Sequence, residues 1–366
     1  MSAAHATIDL DDTDGLLEAD RDGLLRASAL AGAQVRATAA AVEEGALDSV
    51  AGGQRPRTVV WVGGRGAADA AGAMLIAAFA GLAGEPLVTV SGSPPWIGPL
   101  DVLVAAGDDP SDPVLVNAAA TAARRGARVV VAAPYEGPLR EATAGRAAVL
   151  APRVTVPDDF GLCRYLAAGL ATLAAVDPAV DTDLAVLADE LDAEALRNSA
   201  GREVFTNPAK ALAERMSGRQ TVLAGDSPAT LALARHGATV LLRVAGQPVA
   251  AAGLADVAVA LRTGISSRAA TGVAAAGFTD PVQALFHDEE IDGPLPTRPR
   301  VLALVLAEER QLLTARVAGI DGLDLVGVAD VGDAGTIPAS GRVEQQLATL
   351  ALRLEMSAVY LRLAGG

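Results

Sequence analysis

The sequence predicts an α/β protein with two tandem, doubly wound domains and mainly parallel sheets. Short apolar runs alternate with helical patterns from residue 58 onward, and this alternation breaks once, at DPAVDTD (177–183), before it restarts. Alternation of this kind is typical of a parallel sheet covered on both faces. Hydrophobic residues make up 51% of the chain but aromatic residues only 3%, so alanine, valine and leucine must form the core. We therefore expect domains at 1–180 and 181–366, each long enough for its own core.

The first half begins with a helical segment. From Asp14 to Val50, apolar residues recur at three- and four-residue spacing, which indicates amphipathic helices. After the linker AGGQRPR, short apolar runs bounded by glycine, proline or charged residues predict five strands, at 58–63, 86–92, 101–107, 127–134 and 147–152. The patterns between these strands predict helices at Ala67–Ala83, Pro113–Arg125 and Gly161–Ala175.

The second half repeats the alternation after a helix that follows residue 183. Its patterns predict, in order, a helix at 207–218, a strand at 220–225, a helix ending near residue 236, a strand at 238–244, a helix at 253–263, strands at 300–307 and 322–330, and a last helix at 342–363. His236 precedes Gly237, and glycine often follows the last turn of a helix, so we interpret His236 as a C-terminal helix residue.

Composition excludes several classes of protein. The net charge of −15 argues against nucleic acid, which requires a basic face, and against an anionic membrane surface. The longest apolar run, from Ala70 to Gly84, is shorter than the roughly 20 residues that span a bilayer. The first residues carry acids where a signal peptide carries lysines. Cys163 is the single cysteine, which excludes an internal disulfide and a cysteine metal cluster. We expect a cytoplasmic protein.

The segment VVWVGGRGAADAAG (59–72) is the clearest candidate site. It predicts a buried strand, a glycine turn and the start of a helix, whose free N–H groups suit an anion. A tight turn with no ligand remains the alternative. The glycine spacing matches a dinucleotide fingerprint only in part, and no acid ends the following strand, so we expect no nucleotide cofactor.

Five segments, taken in order, resemble the signatures of one family. They are VVWVGGRGA, VLVAAGDDPSDPVLVNAAATAARRGARVVVAAP, VPDDFGLCRYLAAGL, NPAK at 207–210 and FHDEEIDG at 286–293. In this order they are similar to the bifunctional phosphoglucose/phosphomannose isomerase family, which has tandem sugar-isomerase (SIS) domains. The resemblance spans nearly the whole chain. It implies SIS-type domains, a sugar-phosphate ligand, and a homodimer, because that family takes its active-site histidine from a second subunit. The apolar last helix also supports a dimer, because it is too apolar to lie free on a surface.

The resemblance implies a set of substrate-binding residues in the first three segments: Gly63, Gly64, Arg65, Gly66, Ala67, Asp109, Asp112 and Arg164. Two departures weaken this site. Ala67 stands where the family has a serine, and Asp109 and Asp112 fall near a serine and a threonine. Carboxylates oppose a phosphate, which leaves backbone N–H groups of Gly64 to Ala67, Arg65 and Arg164 to hold it. The same acids, with Asp108, also suit the N-terminus of a helix.

The catalytic residues implied by the resemblance lie in FHDEEIDG. Isomerisation of a sugar phosphate needs a base and usually a histidine that opens the ring. We assign His287 to ring opening and Glu289 or Glu290 to the base, because the region VAGQPVAAAGLADVAVALR, which corresponds to the family's carboxylate segment, has no glutamate. No second cluster supports a metal at this motif.

Two hypotheses remain open at this stage. One is an aldose–ketose isomerase acting on glucose 6-phosphate or mannose 6-phosphate. The other is a non-catalytic SIS protein that binds a sugar phosphate, a nucleotide sugar or a partner enzyme and has a regulatory role. The departures from the family's motifs lead us to expect poor binding of simple hexose phosphates and little turnover.

Overall fold

The computed structural model describes residues 7–262, 299–330 and 341–365. It contains two sheets of parallel strands, which confirms the α/β class and the parallel pairing. The first sheet has the order β2-β1-β3-β4-β5. Its strands are β1 (Thr58–Gly63), β2 (Leu87–Thr89), β3 (Asp101–Ala106), β4 (Arg128–Ala132) and β5 (Ala148–Val149).

The second sheet, in the described part of the chain, has the order β7-β6-β8-β9. Its strands are β6 (Thr221–Gly225), β7 (Ala250–Gly253), β8 (Arg300–Leu304) and β9 (Leu323–Val326). In both sheets the first strand in the chain lies between the second and the third. In each sheet the chain therefore adds its second strand on one side of the first strand and its third strand on the other side. The domain boundary near residue 180 falls between the two sheets and stays a prediction.

Helices occupy most of the remaining described residues. In chain order they are α1 (Thr13–Ala19), α2 (Leu24–Ser28), α3 (Ala31–Glu43), α4 (Ala67–Phe79), α5 (Pro113–Arg124), α6 (Gly137–Thr143), α7 (Leu162–Val176), α8 (Leu184–Arg197), α9 (Pro208–Met216), α10 (Pro228–Ala245), α11 (Leu254–Arg262), α12 (Ala307–Val317) and α13 (Val343–Gly365). None of the helices in these described ranges is both long enough and apolar enough to cross a membrane.

Helix α4 is fixed on the first sheet by two glycines and a tryptophan. Trp61 of β1 is buried and donates a hydrogen bond from Nε1 to the carbonyl of Ala68, at 3.0 Å. A Cβ at Gly72 would lie 2.2 Å from the Trp61 ring, and a Cβ at Gly169 of α7 would lie 2.1 Å from Leu75. Helix α4 therefore approaches β1, and α7 approaches α4, more closely than a side chain at either glycine would allow. This packing sets the direction in which α4 begins.

The predicted strand at 238–244 is wrong, because these residues belong to α10. Ser227 and Thr230 form a capping box at the start of this helix, and Gly246, at φ 65°, ends it. The apolar run ATVLLRV fits a strand or a helix equally well by composition. Val240, Leu241 and Val244 are buried at helical spacing against the core. His236 therefore lies inside the helix and not at its C-terminus, which corrects our interpretation.

Helix α13 is buried in the interior of the folded subunit. Every residue from Glu344 to Tyr360 is buried, and the helix packs on α8, α9 and α10. Its apolar side chains are therefore already buried within one subunit. The inference of a dimer from this helix is wrong, although a dimer itself remains a prediction from the resemblance.

The polar residues of α13 bind several different elements. Arg353, 2% exposed, pairs with Glu194 of α8 and donates to the carbonyls of Gly327 and Val328, at 3.0 and 2.7 Å. Tyr360 Oη donates to the carbonyl of Asn198, at 2.6 Å. Burial raises the pKa of Glu194, but the charge and hydrogen bonds of Arg353 outweigh burial and bring the pKa below its ordinary value.

We expect Glu194→Gln to destabilise the protein by about 3 kcal/mol or more, because it leaves the buried charge of Arg353 without its carboxylate. The matched control is Asp189→Asn, also on α8, whose exposed pair with Arg36 measures 2.6 Å. An exposed pair contributes less than about 1 kcal/mol. Urea unfolding of the three proteins at pH 7 measures both effects. Equal losses in the two variants would contradict a special role for the buried pair.

Candidate functional site

A cavity of about 320 Å³ lies at the carboxyl ends of β1 and β3. The chain order of the first sheet reverses between these two strands. In open parallel sheets, a reversal of this kind leaves a crevice between the loops that follow the two strands, and ligands bind there. Gly64 to Ala67 follow β1, Gly107 to Asp112 follow β3, and both loops line the cavity. The volume falls in the range of small-molecule sites, roughly 300–1,000 Å³.

Helix α10 and the turn before α7 form the rest of the cavity wall. His236, Thr239, Val240 and Arg243 line the cavity from α10, at positions i, i+3, i+4 and i+7 of one helix face. Asp158 and Asp159 line it from the 3₁₀ turn Asp158–Phe160. The cavity therefore uses residues from both sides of segment 177–183.

The glycine loop positions the start of α4 at the cavity. A Cβ at Gly63 would lie 2.7 Å from the backbone of Asp69, so only glycine allows the helix to begin this close to the strand. Gly66 has φ 78°, a conformation that favours glycine. No side chain in the described part of the chain caps this helix, and Ala67 at its first position lines the cavity. The N–H of Gly64 already donates to the carbonyl of Ala106, at 2.7 Å, so it is not available to an anion.

Asp109 and Asp112, which we predicted as binding residues in the second loop, accept hydrogen bonds from nearby backbone N–H groups. Asp112 caps α5 by accepting a hydrogen bond from the N–H of Val114, at 2.8 Å. Asp109 accepts from the N–H of Ser111, at 2.8 Å. Both carboxylates also line the cavity. Asp112 therefore acts as a helix-terminal residue and Asp109 stabilises the loop before α5, and both place negative charge on the cavity wall.

Arg164 is buried at the start of α7, in contact with a cavity residue. It is 6% exposed, and its Nη2 lies 2.5 Å from Oδ1 of Asp108 and 2.8 Å from the Tyr165 hydroxyl. Its Nη1 is buried with no hydrogen-bond partner among the described residues. Burial raises the pKa of Tyr165, so this hydroxyl stays protonated. The charge of Arg164 is balanced mainly by Asp108.

Negative charge dominates the cavity. Five aspartates line it, at positions 108, 109, 112, 158 and 159, against two arginines, at 65 and 243. Arg243 is paired with Asp159 at 2.5 Å. Burial, and then the charge of Asp108, raise the pKa of Asp158 above its ordinary value. Within the described residues, no group of His, Cys, Asp or Glu side chains is arranged to hold a metal ion.

The structure brings most of the predicted binding residues together. Six of them line the cavity: Gly64, Arg65, Gly66, Ala67, Asp109 and Asp112. Gly63 and Arg164 adjoin residues of the wall. The predicted catalytic residues His287, Glu289 and Glu290 lie outside the described residues.

Sequence reasoning missed the face that α10 presents to the cavity. The signal was present, because the polar residues His236, Thr239 and Arg243 recur at three- and four-residue spacing. The strand prediction at 238–244 hid it, since it separated His236, at the end of the predicted helix, from Thr239 and Arg243 in the predicted strand. Asp158 and Asp159 stood in the quoted segment VPDDFGLCRYLAAGL, but their place at the cavity depends on tertiary structure.

Solved structures with the same fold include phosphosugar isomerases. A protein from Silicibacter pomeroyi, described as a phosphosugar isomerase, has 14% identity and a TM-score of 0.60, over 93% of this chain and 97% of that one. Tagatose-6-phosphate ketose/aldose isomerase from Escherichia coli has 15% identity and a TM-score of 0.56, over 97% and 94%. The C-terminal domain of glucosamine-fructose-6-phosphate aminotransferase from Francisella tularensis has 10% identity and a TM-score of 0.56, over 95% and 96%.

These likenesses show that the chain has the SIS-type fold of phosphosugar isomerases, and at these identities they show the fold alone. No protein-family model matches the sequence, and no curated protein matches it. The specific phosphoglucose/phosphomannose isomerase family therefore stays a proposal.

We expect Asp158→Asn to raise the melting temperature at pH 7. The folded-state pKa of Asp158 lies above its ordinary value, near 3.9 in an unfolded chain, so ionisation disfavours the folded state. This penalty is present above the folded pKa and absent below the unfolded one. The gain should therefore vanish near about pH 3. Calorimetry at both pH values measures it, with Glu18→Gln, an exposed neutralisation on α1, as control. A lower melting temperature at pH 7 would contradict the charge repulsion.

Proposed function

We propose that this protein is a cytoplasmic SIS-type, sugar-phosphate-isomerase-like protein that binds a phosphorylated hexose, glucose 6-phosphate or mannose 6-phosphate, in the cavity. One observation carries the proposal: the uncapped N-terminus of α4 meets the second loop in a cavity of ligand size at the reversal of the sheet. The phosphosugar isomerases among the proteins of the same fold support the ligand class.

The wall offers different partners to the two ends of such a ligand. Free N–H groups at the start of α4 and the side chain of Arg65 suit the phosphate. Carboxylates accept hydrogen bonds, so Asp109, Asp112 and Asp158 suit the hydroxyls of a sugar. We therefore place the phosphate at Gly66 and Ala67, and the sugar across the cavity toward α10.

The same carboxylates limit the affinity. A phosphate dianion in this cavity faces five aspartates, of which Asp108 is paired with Arg164 and Asp159 with Arg243. Each of the other three opposes binding by roughly 2 kcal/mol per unit charge at a separation of about 8 Å and the effective dielectric of a protein surface. We propose weak binding of simple hexose phosphates.

A second candidate function is a non-catalytic SIS protein that binds the same ligand, or a partner enzyme, and has a regulatory role. The acidic wall favours this candidate, because an enzyme selected for a phosphosugar gains nothing from charges that repel it. Ring opening by His287, with Glu289 or Glu290 as base, remains the assignment for an active enzyme. Interconversion of glucose 6-phosphate and fructose 6-phosphate by the purified protein distinguishes the two candidates.

We expect the double variant Asp109→Ser/Asp112→Ser to bind glucose 6-phosphate at least tenfold more tightly than the wild type, because it removes two charges that face the phosphate. Serine still caps a helix, so α5 is preserved. Titration calorimetry measures the affinity. Asp12→Ser, which changes the capping aspartate of α1 away from the cavity, is the matched control.

Arg65→Ala should weaken whatever binding is measured, because it removes the cation of the glycine loop, which has no ion-pair partner among the described residues. Unchanged affinity in the double variant and in Arg65→Ala would show that the phosphate does not lie at this loop. Such a result would overturn the placement of the ligand.

We also propose that the protein is a homodimer, as the resemblance implies. The observed burial of α13 removes one argument for this assembly but does not affect the argument from the family. The mass of one chain is 36.7 kDa. Sedimentation at micromolar concentration should show a particle of twice this mass. A single species at the chain mass would contradict the proposal.

A further inference from the structure

The α10 wall of the cavity carries a buried pair of a histidine and a carboxylate. His236 is 3% exposed and lines the cavity from the middle of α10. Its Nε2 lies 2.9 Å from Oε1 of Glu355, which is 1% exposed on α13. His236 lies outside the segments of the resemblance, and neither residue forms part of the phosphate site proposed above.

The pair orients the imidazole. Because Nε2 is directed to Glu355, Nδ1 is the ring atom that remains for the cavity, and Nδ1 forms no hydrogen bond with the described residues. A carboxylate that accepts from Nε2–H selects the tautomer whose Nδ1 holds a lone pair. Histidine–carboxylate pairs position a base in this way in enzymes of unrelated folds.

The groups next to the pair are either neutral or paired with an opposite charge, so the pair is the acid–base candidate of this wall. Burial raises the pKa of Glu355, while the hydrogen bond from His236 opposes that rise. Cys163 of α7 lies near Glu355, and burial raises the pKa of its thiol well above the ordinary value, so it stays neutral. Asp159, which also acts on Glu355, is paired with Arg243 of α10. Asp158, which lines the same cavity, carries the remaining nearby carboxyl of the turn before α7.

We infer that His236 is the acid–base group of the cavity, with Glu355 as its positioning residue. This inference rests on the proposed function, since it needs a carbohydrate in the cavity. In an open-chain aldose, Nδ1 takes the proton from C2, the electrons of that C–H bond form the C1–C2 double bond of an enediol, and the electrons of the C1=O π bond move to the oxygen on C1. The imidazolium returns the proton to C1, while the proton of the 2-hydroxyl passes to the oxygen on C1. The product is the ketose, and no oxidant or reductant is required.

The arrangement supplies a base where the family's carboxylate segment has no glutamate. His236 and Glu355 are held by two helices in the described core, so the base does not depend on the glutamates near residue 290. Proton transfer by a positioned base contributes roughly 10²- to 10⁴-fold to a rate. The structure therefore supports retained isomerase activity more strongly than the sequence motifs alone do.

The first test reads the protonation of the pair without a ligand. The chain has three histidines, so ¹⁵N spectra of the imidazoles, compared with His236→Gln, identify His236. We expect a proton on Nε2 and none on Nδ1 at pH 7, and loss of this preference in Glu355→Leu, which has no acceptor. A proton on Nδ1 in the wild type, or an unchanged tautomer in Glu355→Leu, would overturn the inference.

The second test reads proton transfer on the ligand. With glucose 6-phosphate in D₂O, we expect deuterium to enter at C2, and His236→Gln to slow this exchange at least 100-fold with calorimetric affinity unchanged. Glu355→Gln should slow it about tenfold, with partial recovery in Glu355→Asp, whereas a merely structural residue would alter affinity and melting temperature instead. Arg235→Gln, an exposed change on the same helix outside the cavity, is the control for α10.

The two tests separate this inference from the proposed function. Binding with exchange that persists in His236→Gln would overturn the role of the pair and leave the ligand site intact. Absence of binding would overturn the proposed ligand, while the tautomer measurement would still decide the state of the pair.

Discussion

The burial of α13 is the constraint on which the rest of the structure depends. A helix that is enclosed from Glu344 to Tyr360 must find a partner for every polar side chain it carries, because unpaired polar groups in a core are strongly destabilising. Arg353 pairs with α8 and with two carbonyls after β9, Ser357 bonds to α9, and Glu355 bonds to α10. Each partner lies on a different element. One helix thus fixes the relative positions of at least three others.

The packing of α13 also sets the geometry of the cavity. Helix α10 packs on α13 on one side and on α4 on the other, and it presents His236 and Arg243 between them. The glycine loop at the start of α4 is set independently, by the contacts of Trp61 with Gly72. Because α4 belongs to the first sheet and α10 to the second, the site forms only when the two units are packed together. Stability of the central helical layer and integrity of the site are therefore linked.

The negative charge of the cavity follows largely from local bonds. The fold is that of phosphosugar isomerases, and five aspartates line the cavity at the carboxyl ends of β1 and β3. Asp112 is explained by its bond to a helix-terminal N–H group, Asp109 by its bond to the N–H of Ser111 in the loop before α5, and Asp108 by its pair with Arg164. Local stability thus accounts for much of the negative charge. Under the proposed function, this charge opposes the phosphate, whereas the same carboxylates accept hydrogen bonds from sugar hydroxyls.

The sequence by itself determined the α/β class, the strands of the first sheet and the two loops at its carboxyl end, because these follow from local patterns: apolar runs, glycine turns and capping residues. It misjudged 238–244, where an apolar, β-branched run fits a strand or a helix until its neighbours are known. Only the tertiary structure decided that α13 is internal, that α10 turns His236 toward the glycine loop's cavity, and that Glu355 meets His236. These two residues are 119 positions apart, and no local pattern encodes such a contact. Their meeting is a property of the packed core.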